Sequence, residues 1–295
     1  MNALPNLLCV GTQKAGTSTL FDILRQHPDI YLPSEKEAHY FYSDKNYCKG
    51  VEWYKNTYYS EWKGQRIIGD FTPEYMYWPN VPERIRATLG VDVKFVFILR
   101  HPVDRAYSQY LMTKKRGVEN MEFLDALGEE QKRIELGLFE RNHFGYFSRS
   151  RYLDQIRRFM ECFPRENMFF IVFETEIREH IEVTIAELLK FVGLDTNATI
   201  NCFVHSNEAS SVRFPWLARL MWQGSLMRNL ARTIVPSAAV RSRIFKATEL
   251  INSSPVKNDQ RLDKNTRDQL YSKYFQTEFD DLQNLTGKSL DVWLR

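Results

Sequence analysis

Short, continuous runs of apolar, β-branched and aromatic residues recur along this chain, with stretches of helical spacing between them. NLLCVG (6–11), RIIGD (66–70), KFVFILR (94–100) and MFFIVFE (168–174) do not alternate with polar residues, which predicts strands buried on both faces. STLFDILRQH (18–27) gathers Leu20, Phe21, Ile23 and Leu24 on one side of a helix. PERIRATLG (82–90) closes on a glycine, SRYLDQIRRFMECF (150–163) breaks at Pro164, and IEVTIAELLKFVGL (181–194) stops at Gly193. Strands alternating with helices predict an α/β fold: a central, mainly parallel β-sheet flanked by helices, with a helical C-terminal portion. In such sheets ligands bind beyond the carboxyl ends of the strands.

The texture changes near residue 209. No acidic residue occurs between Glu208 and Glu249, and Arg213, Arg219, Arg228, Arg232, Arg241, Arg243 and Lys246 sit among Trp216, Leu220, Trp222 and Leu226. This reads as a basic, amphipathic, helical segment over about 209–250, a lid or insertion within a single domain spanning 1–295. A lid would let arginine stems cover apolar surface while their heads stay in water. The alternative for 209–248 is peripheral contact with an anionic membrane, or an acidic carrier.

Composition narrows the class. With 43% hydrophobic residues in 295, the chain buries a sizeable core, and a net charge of +3 gives no case for nucleic acid. No run of eighteen apolar residues exists, so no membrane-spanning helix is expected. The opening NALPNLLCVG lacks a basic leader and reads as a first strand. Cys9, Cys48, Cys162 and Cys202 are scattered, a pattern of neither zinc ligands nor a disulfide framework. A cytoplasmic protein, at most peripheral at the inner face of a membrane, is the expectation.

The chemistry starts at VGTQKAGTS (10–18), between the first predicted strand and helix. Gly11 and Gly16 keep the spacing of a P-loop, but Thr17 stands where its lysine belongs and Lys14 lies inside the loop. A turn of this kind aims backbone N–H groups and the positive end of a helix at an anion. Ala15 and Gly16 supply such N–H groups; Thr17, Ser18 and Thr19 add hydroxyl donors, and Lys14 adds a full charge. The plainer alternative is an ordinary strand–helix turn. The second signal is FVFILRHPVDRAYSQY (95–110), a strand ending in Arg100 with Ser108 eight residues on. Arginine suits bidentate contact with a phosphate and a serine hydroxyl completes it, although Arg100 could equally serve a salt bridge to Asp104 or Glu74. Two anion sites at adjacent strand ends suit a nucleotide phosphorylated at both its 5′ and 3′ positions.

These residues resemble the sulfotransferases that use 3′-phosphoadenosine-5′-phosphosulfate (PAPS), in particular the heparan sulfate sulfotransferase branch and its bacterial relatives. VGTQKAGTSTL is similar to the family's 5′-phosphosulfate loop, and KFVFILRHPVDRAYSQY to its 3′-phosphate motif. HPDIYLPSEKEAHYF, YCKGVEWYKNTY, GDFTPEYMYWPNVPERI, YLDQIRRFMECFPRENMFFIVFE and the terminal LDKNTRDQLYSKYFQTEFDDLQNLTGKSLDVWLR match further family segments in order. The resemblance implies PAPS as sulfuryl donor, 3′-phosphoadenosine-5′-phosphate (PAP) as product, and no metal requirement. It implies Lys14 beside the bridging oxygen, stabilising charge on the leaving phosphate, and Glu37 as the general base that takes the acceptor's proton. His39, two residues on, is the alternative base, and Glu37 has the plainer role of a surface carboxylate paired with Lys36 or Lys14. Family position makes Tyr152 a nucleotide contact, with a place in the core as the equal alternative.

Two departures stand out. Where the resembled branch carries a lysine, this chain reads DFTP, with Phe71 at that position and Asp70 before it. Arg66 or the segment after residue 209 would then supply the missing charge. The glycine-rich loop over the 3′-phosphate is absent; SNEASSVRFP takes its place, and Arg213 is the substitute. The missing lysine disfavours a highly anionic acceptor, and the expected partner is a hydroxyl on a glycan or glycolipid. The aromatic tract YFYSDKNYCKGVEWYKNTYYSEW reads as core rather than as a sugar-stacking surface. The competing functions are a P-loop kinase using ATP and magnesium, and a nucleotide-binding scaffold without catalysis.

Overall fold

The computed structural model describes residues 4–196, 200–202, 210–212, 248, 253–255 and 262–295. Most of the basic tract at 209–250, Arg213 included, lies outside the described residues. Five parallel strands form one sheet in the order β2-β3-β1-β4-β5: β1 (Leu7–Gly11), β2 (Ile30–Tyr31), β3 (Ile67–Phe71), β4 (Lys94–Leu99) and β5 (Met168–Val172). The four strands predicted from apolar runs are present; β2 is two residues long and carries no periodicity that a sequence could reveal. β5 ends two residues before its predicted limit because the chain tightens into a π-helical turn over Phe173–Ile177.

Helices α1 (Thr17–Leu24) and α7 (Ile181–Phe191) cover one face of the sheet, and α4 (Val81–Leu89) and α6 (Tyr152–Cys162) belong to the other. On the first face Leu20, Ile23 and Leu24 join Cys9, Phe71, Val96, Ile98, Ile185 and Leu188 in one buried cluster. On the second, Phe159 meets Phe95 and Phe97 edge-on at ring separations of 5.5 and 5.3 Å. Each fully buried side chain of this size contributes about 1.5–3 kcal/mol. α2 (Asp44–Tyr47) and α3 (Val51–Tyr58) lie between β2 and β3 in the chain, and α5 (Pro102–Lys115) follows β4. Helices Lys264–Tyr274 and Phe279–Thr286 close the chain.

The chain leaves β1 toward the β3 side of the sheet and leaves β4 toward β5. The gap between the carboxyl ends of β1 and β4 is therefore the topological switch point, where open α/β sheets bind ligands. Both predicted anion elements, the loop after β1 and Arg100 after β4, start there.

The fold divides into two compact units. The first contains the sheet and takes in residues up to Arg105, Arg149 to Cys202 and Asp268 to Arg295. The second comprises Ala106–Ser148 with described residues between 210 and 267, among them an antiparallel pair, Ser210–Val212 with Ser253–Pro255. Within the second unit, buried Glu119 accepts hydrogen bonds from Arg133 (2.7 Å), Tyr146 (2.8 Å) and the N–H groups of Asn120 and Met121. Burial alone would raise its pKa, but these donors outweigh it and hold the carboxyl below its usual range.

Candidate active site

Gly16 caps α1 in a left-handed conformation, φ +89°, which an L side chain adopts at a cost. A Cβ there would also stand 3.1 Å from the Phe173 ring and 3.2 Å from Ile177. Ala15 is fully buried and Thr17 nearly so, which packs the loop down on the end of the sheet. No side chain caps the helix, and its first turn holds no acidic residue. A helix start without a side-chain cap or an acidic residue in its first turn, carrying Thr17, Ser18 and Thr19, fits an anion. Lys14 sits in the loop with φ +73°.

Arg100 emerges from β4 and turns one donor back on this loop, from Nη1 to the Lys14 carbonyl at 2.7 Å. Its guanidinium also lies over Phe173, 5.0 Å from the ring centre, and burial lowers its pKa. Arg100 thus braces the anion loop. Glu174 fixes the adjoining turn: Oε1 accepts from the His101 N–H at 2.8 Å and Oε2 from Trp293 Nε1 at 3.0 Å. Tyr152 is 1% exposed, and its hydroxyl donates to the Arg100 carbonyl at 2.8 Å. Ser108 lies on α5, within the second unit.

The segment carrying the candidate base is held from below. Asp70, buried in β3, accepts from the hydroxyls of Thr72 (2.6 Å), Tyr54 (2.6 Å) and Tyr75 (2.9 Å). Burial raises its pKa against the pull of these three donors. The Tyr75 hydroxyl in turn accepts the Tyr40 N–H at 3.1 Å, and Tyr58 donates to the Ala38 carbonyl at 3.0 Å. Tyr40 stacks on Tyr54 with ring centres 4.2 Å apart, so Tyr40, Phe41, Tyr54 and Tyr59 of the aromatic tract are core and shape this segment, while Tyr47, Trp53 and Tyr58 are half-buried. Glu37 and His39 both have positive φ, 36° and 50°. Among the described residues, Lys14, Glu37 and His39 are the non-glycine positions with positive φ.

His39 Nε2 lies 3.5 Å from Glu37 Oε2, and its Nδ1 is 3.2 Å from the Tyr42 hydroxyl. Burial raises the pKa of that phenol, so it keeps its proton. Glu74, nearly buried, accepts from Gln13 Nε2 at 3.1 Å and brings a carboxylate oxygen within 4.8 Å of Glu37 and His39. The sequence spacing offers no metal cluster; the fold nevertheless gathers these three ligand-type side chains.

Two expectations change here. Arg66 cannot supply the charge missing at Phe71. It precedes the amino end of β3, about 16 Å of strand away from that position, and donates to the Gly193 carbonyl at 3.1 Å. Phe71 itself points away from Asp70 and packs edge-on to Phe21 at 5.5 Å. Besides Arg100, Lys36 reaches the loop from outside it: its Nζ lies 2.9 Å from Ser18 Oγ, 3.3 Å from Thr17 Oγ1 and 3.9 Å from Glu37 Oε1. The sequence reading treated Lys36 only as a surface partner for Glu37 and missed Tyr75. The one signal for Lys36 was its place beside the candidate base.

The family model for the sulfotransferase domain matches residues 4–214, and the chain belongs to that family. "Membrane-associated sulfotransferase kil1" of Dictyostelium discoideum is 41% identical over 109 residues, 36% of this chain and 22% of that protein. "Heparan sulfate glucosamine 3-O-sulfotransferase 5" of Mus musculus is 29% identical over 195 residues, 65% of this chain and 54% of that protein. The chain thus spans about half the length of the mouse relative and less of the other. A solved sulfotransferase from Alicyclobacillus acidocaldarius shares the fold over the full length of both chains, with a TM-score of 0.69 at 23% identity. The expectation of a cytoplasmic protein is corrected by the Dictyostelium relative, which is membrane-associated by name. Among the described residues no helix is long and apolar enough to cross a membrane, and that does not fix a location.

Proposed function

We propose that this sulfotransferase-family chain transfers the sulfuryl group of PAPS to a hydroxyl of a carbohydrate acceptor, a glycan or glycolipid. The observation that carries the reading is the coincidence of strained backbone with candidate chemistry. Positive φ costs a non-glycine residue about 1–2 kcal/mol, and Lys14, Glu37 and His39 all bear it at the candidate site. Such strain persists where surrounding structure imposes it, as the Asp70–Tyr75–Tyr40 chain does beneath Glu37.

PAPS supplies a sulfur whose bond to the 5′-phosphate oxygen breaks, electron pair leaving with PAP, as the acceptor oxygen bonds to it. The loop from Lys14 to Thr19 would hold the 5′ end through backbone N–H groups and hydroxyls. Lys14 would offset charge on the leaving phosphate. Glu37 would take the proton of the acceptor hydroxyl on its carboxylate. His39 fits a positioning role better than that of base. With Nδ1 3.2 Å from the Tyr42 hydroxyl and Nε2 3.5 Å from Glu37 Oε2, the imidazole is placed to orient that carboxylate. The carbohydrate acceptor is inferred from the mouse relative, which is named for heparan sulfate glucosamine.

The test is thermal stabilisation by PAP beside ADP and ATP, each with and without magnesium. Saturation at 100 times the dissociation constant adds about 2.7 kcal/mol. Stabilisation by PAP alone, unaffected by a chelator, is expected. A larger effect from ATP with magnesium would transfer the site to phosphoryl chemistry.

A further inference from the structure

We propose that Lys36 is a donor-binding residue: its ammonium contacts the 5′-terminal anion of the nucleotide and ties the base-bearing segment to the anion loop. The inference rests on the donor reading above and adds to it a residue eighteen positions away from that loop in sequence. The Lys36 side chain is only 21% exposed, so it is drawn in rather than left in water. Its Nζ reaches two hydroxyls on the first turn of α1, Ser18 at 2.9 Å and Thr17 at 3.3 Å.

The chemistry of these groups decides what the arrangement is for. An ammonium only donates, so both hydroxyl oxygens act as acceptors toward it. Each hydroxyl proton is then directed away from Lys36 and is available to another acceptor. The helix start supplies further donors and no acid to neutralise them. Lys36, two hydroxyls and the N–H groups therefore form a set of donors around one place. Lys36 is held against the positive end of a helix dipole, with the Glu37 carboxylate only at the outer limit of an ion pair, 3.9 Å away. An anion in the loop would give its ammonium a closer partner. No side chain at position 71 competes for the role, since Phe71 is turned into the core.

Covalent neighbourhood gives the second half of the inference. Lys36 Nζ is 3.9 Å from Glu37 Oε1, and Glu37 sits in strained backbone directly after it. An anion that holds Lys36 also holds the segment that presents Glu37. Donor occupancy and base placement thus act through one side chain.

Calorimetric titration with PAPS, PAP and adenosine 3′-phosphate separates this contact from general electrostatics, because the last ligand lacks any 5′ anion. For Lys36→Met, PAPS and PAP should each bind at least tenfold more weakly, about 1.4 kcal/mol, with adenosine 3′-phosphate within twofold of wild type. Lys36→Arg should retain most of the affinity, which guards against a folding defect, and melting curves accompany both variants. A loss below tenfold for PAPS and PAP overturns the proposal. So does an equal loss for all three ligands, since the effect would then be unrelated to the 5′ group. Failure of the donor reading is distinct: wild-type protein would not bind PAP at all, or would prefer ATP with magnesium.

Discussion

Removing the Tyr75 hydroxyl tests whether the base-bearing segment is held from the buried carboxylate beneath it. In Tyr75→Phe the ring and its packing against Phe41, at 5.4 Å, are kept. Three polar groups lose a partner. Asp70 drops from three hydroxyl donors to two, the Tyr40 N–H loses its acceptor, and the Phe41 N–H loses a longer contact at 3.5 Å. A buried amide left unsatisfied costs about 1–3 kcal/mol, and a hydrogen bond to a carboxylate is worth about 1.5–3 kcal/mol, so with partial relaxation a loss of about 2–4 kcal/mol is expected. Urea denaturation measures it. The partner variant Asp70→Asn completes a double-mutant cycle, in which contacting residues show coupling of about 0.5–3 kcal/mol. Function provides the sharper readout. With PAP affinity within threefold of wild type, turnover should fall at least tenfold, because the defect lies under Glu37 and not under the anion loop. A stability change under about 0.5 kcal/mol, or PAP affinity lost in step with turnover, would refute the claim that this network positions the base.

Gly16→Ala should cost about 1–3 kcal/mol, from the left-handed backbone and from a Cβ only 3.1 Å from the Phe173 ring, and should weaken PAP binding in calorimetry. Arg66→Ala should leave PAP affinity within twofold, since that residue lies at the opposite end of β3 from the site. Glu119 supplies a pH dependence. Its folded pKa lies below the ordinary 4.5, so its network stabilises fully above that value and loses the contribution as pH falls through the folded pKa. Denaturation of Glu119→Gln should therefore show a deficit at pH 7 that narrows below pH 4.5; a deficit independent of pH would contradict the assignment.

Strands β1, β3, β4 and β5 were legible because burial on both faces leaves an uninterrupted apolar run, a signal that needs no partner to be read. The loop between β1 and α1 was legible for a similar reason: Gly11 and Gly16 answer local backbone demands, and Lys14 and the hydroxyls fall within the same nine residues. Lys36 was not, because its meaning depends on reaching Thr17 and Ser18 from a separate segment. The role of Tyr75 was hidden in the same way, since its partners Asp70 and Tyr40 belong to different parts of the chain. Arg66 was misjudged from mere sequence proximity to Phe71. Strand direction separates the two, and only the parallel register with β1 fixes which end of β3 faces the loop.

The active-site arrangement also explains why a phenylalanine can stand where the resembled branch carries a lysine. Position 71 belongs to the apolar face of β3, against Phe21 of the helix that follows the anion loop. A lysine there would have to leave that face to reach the site, or bury its charge, and an unpaired buried ammonium is strongly disfavoured. Phe71 instead contributes packing beneath α1, and α1 presents the hydroxyls that Lys36 contacts. Charge and packing are thus divided between two segments: the core fixes the helix start, and Lys36, beside Glu37, reaches it from a separate segment. A single Phe71→Lys substitution should therefore destabilise the fold without restoring a Lys36→Met variant's affinity for PAP. Rescue of that affinity by the double variant would show instead that position 71 can still turn toward the nucleotide.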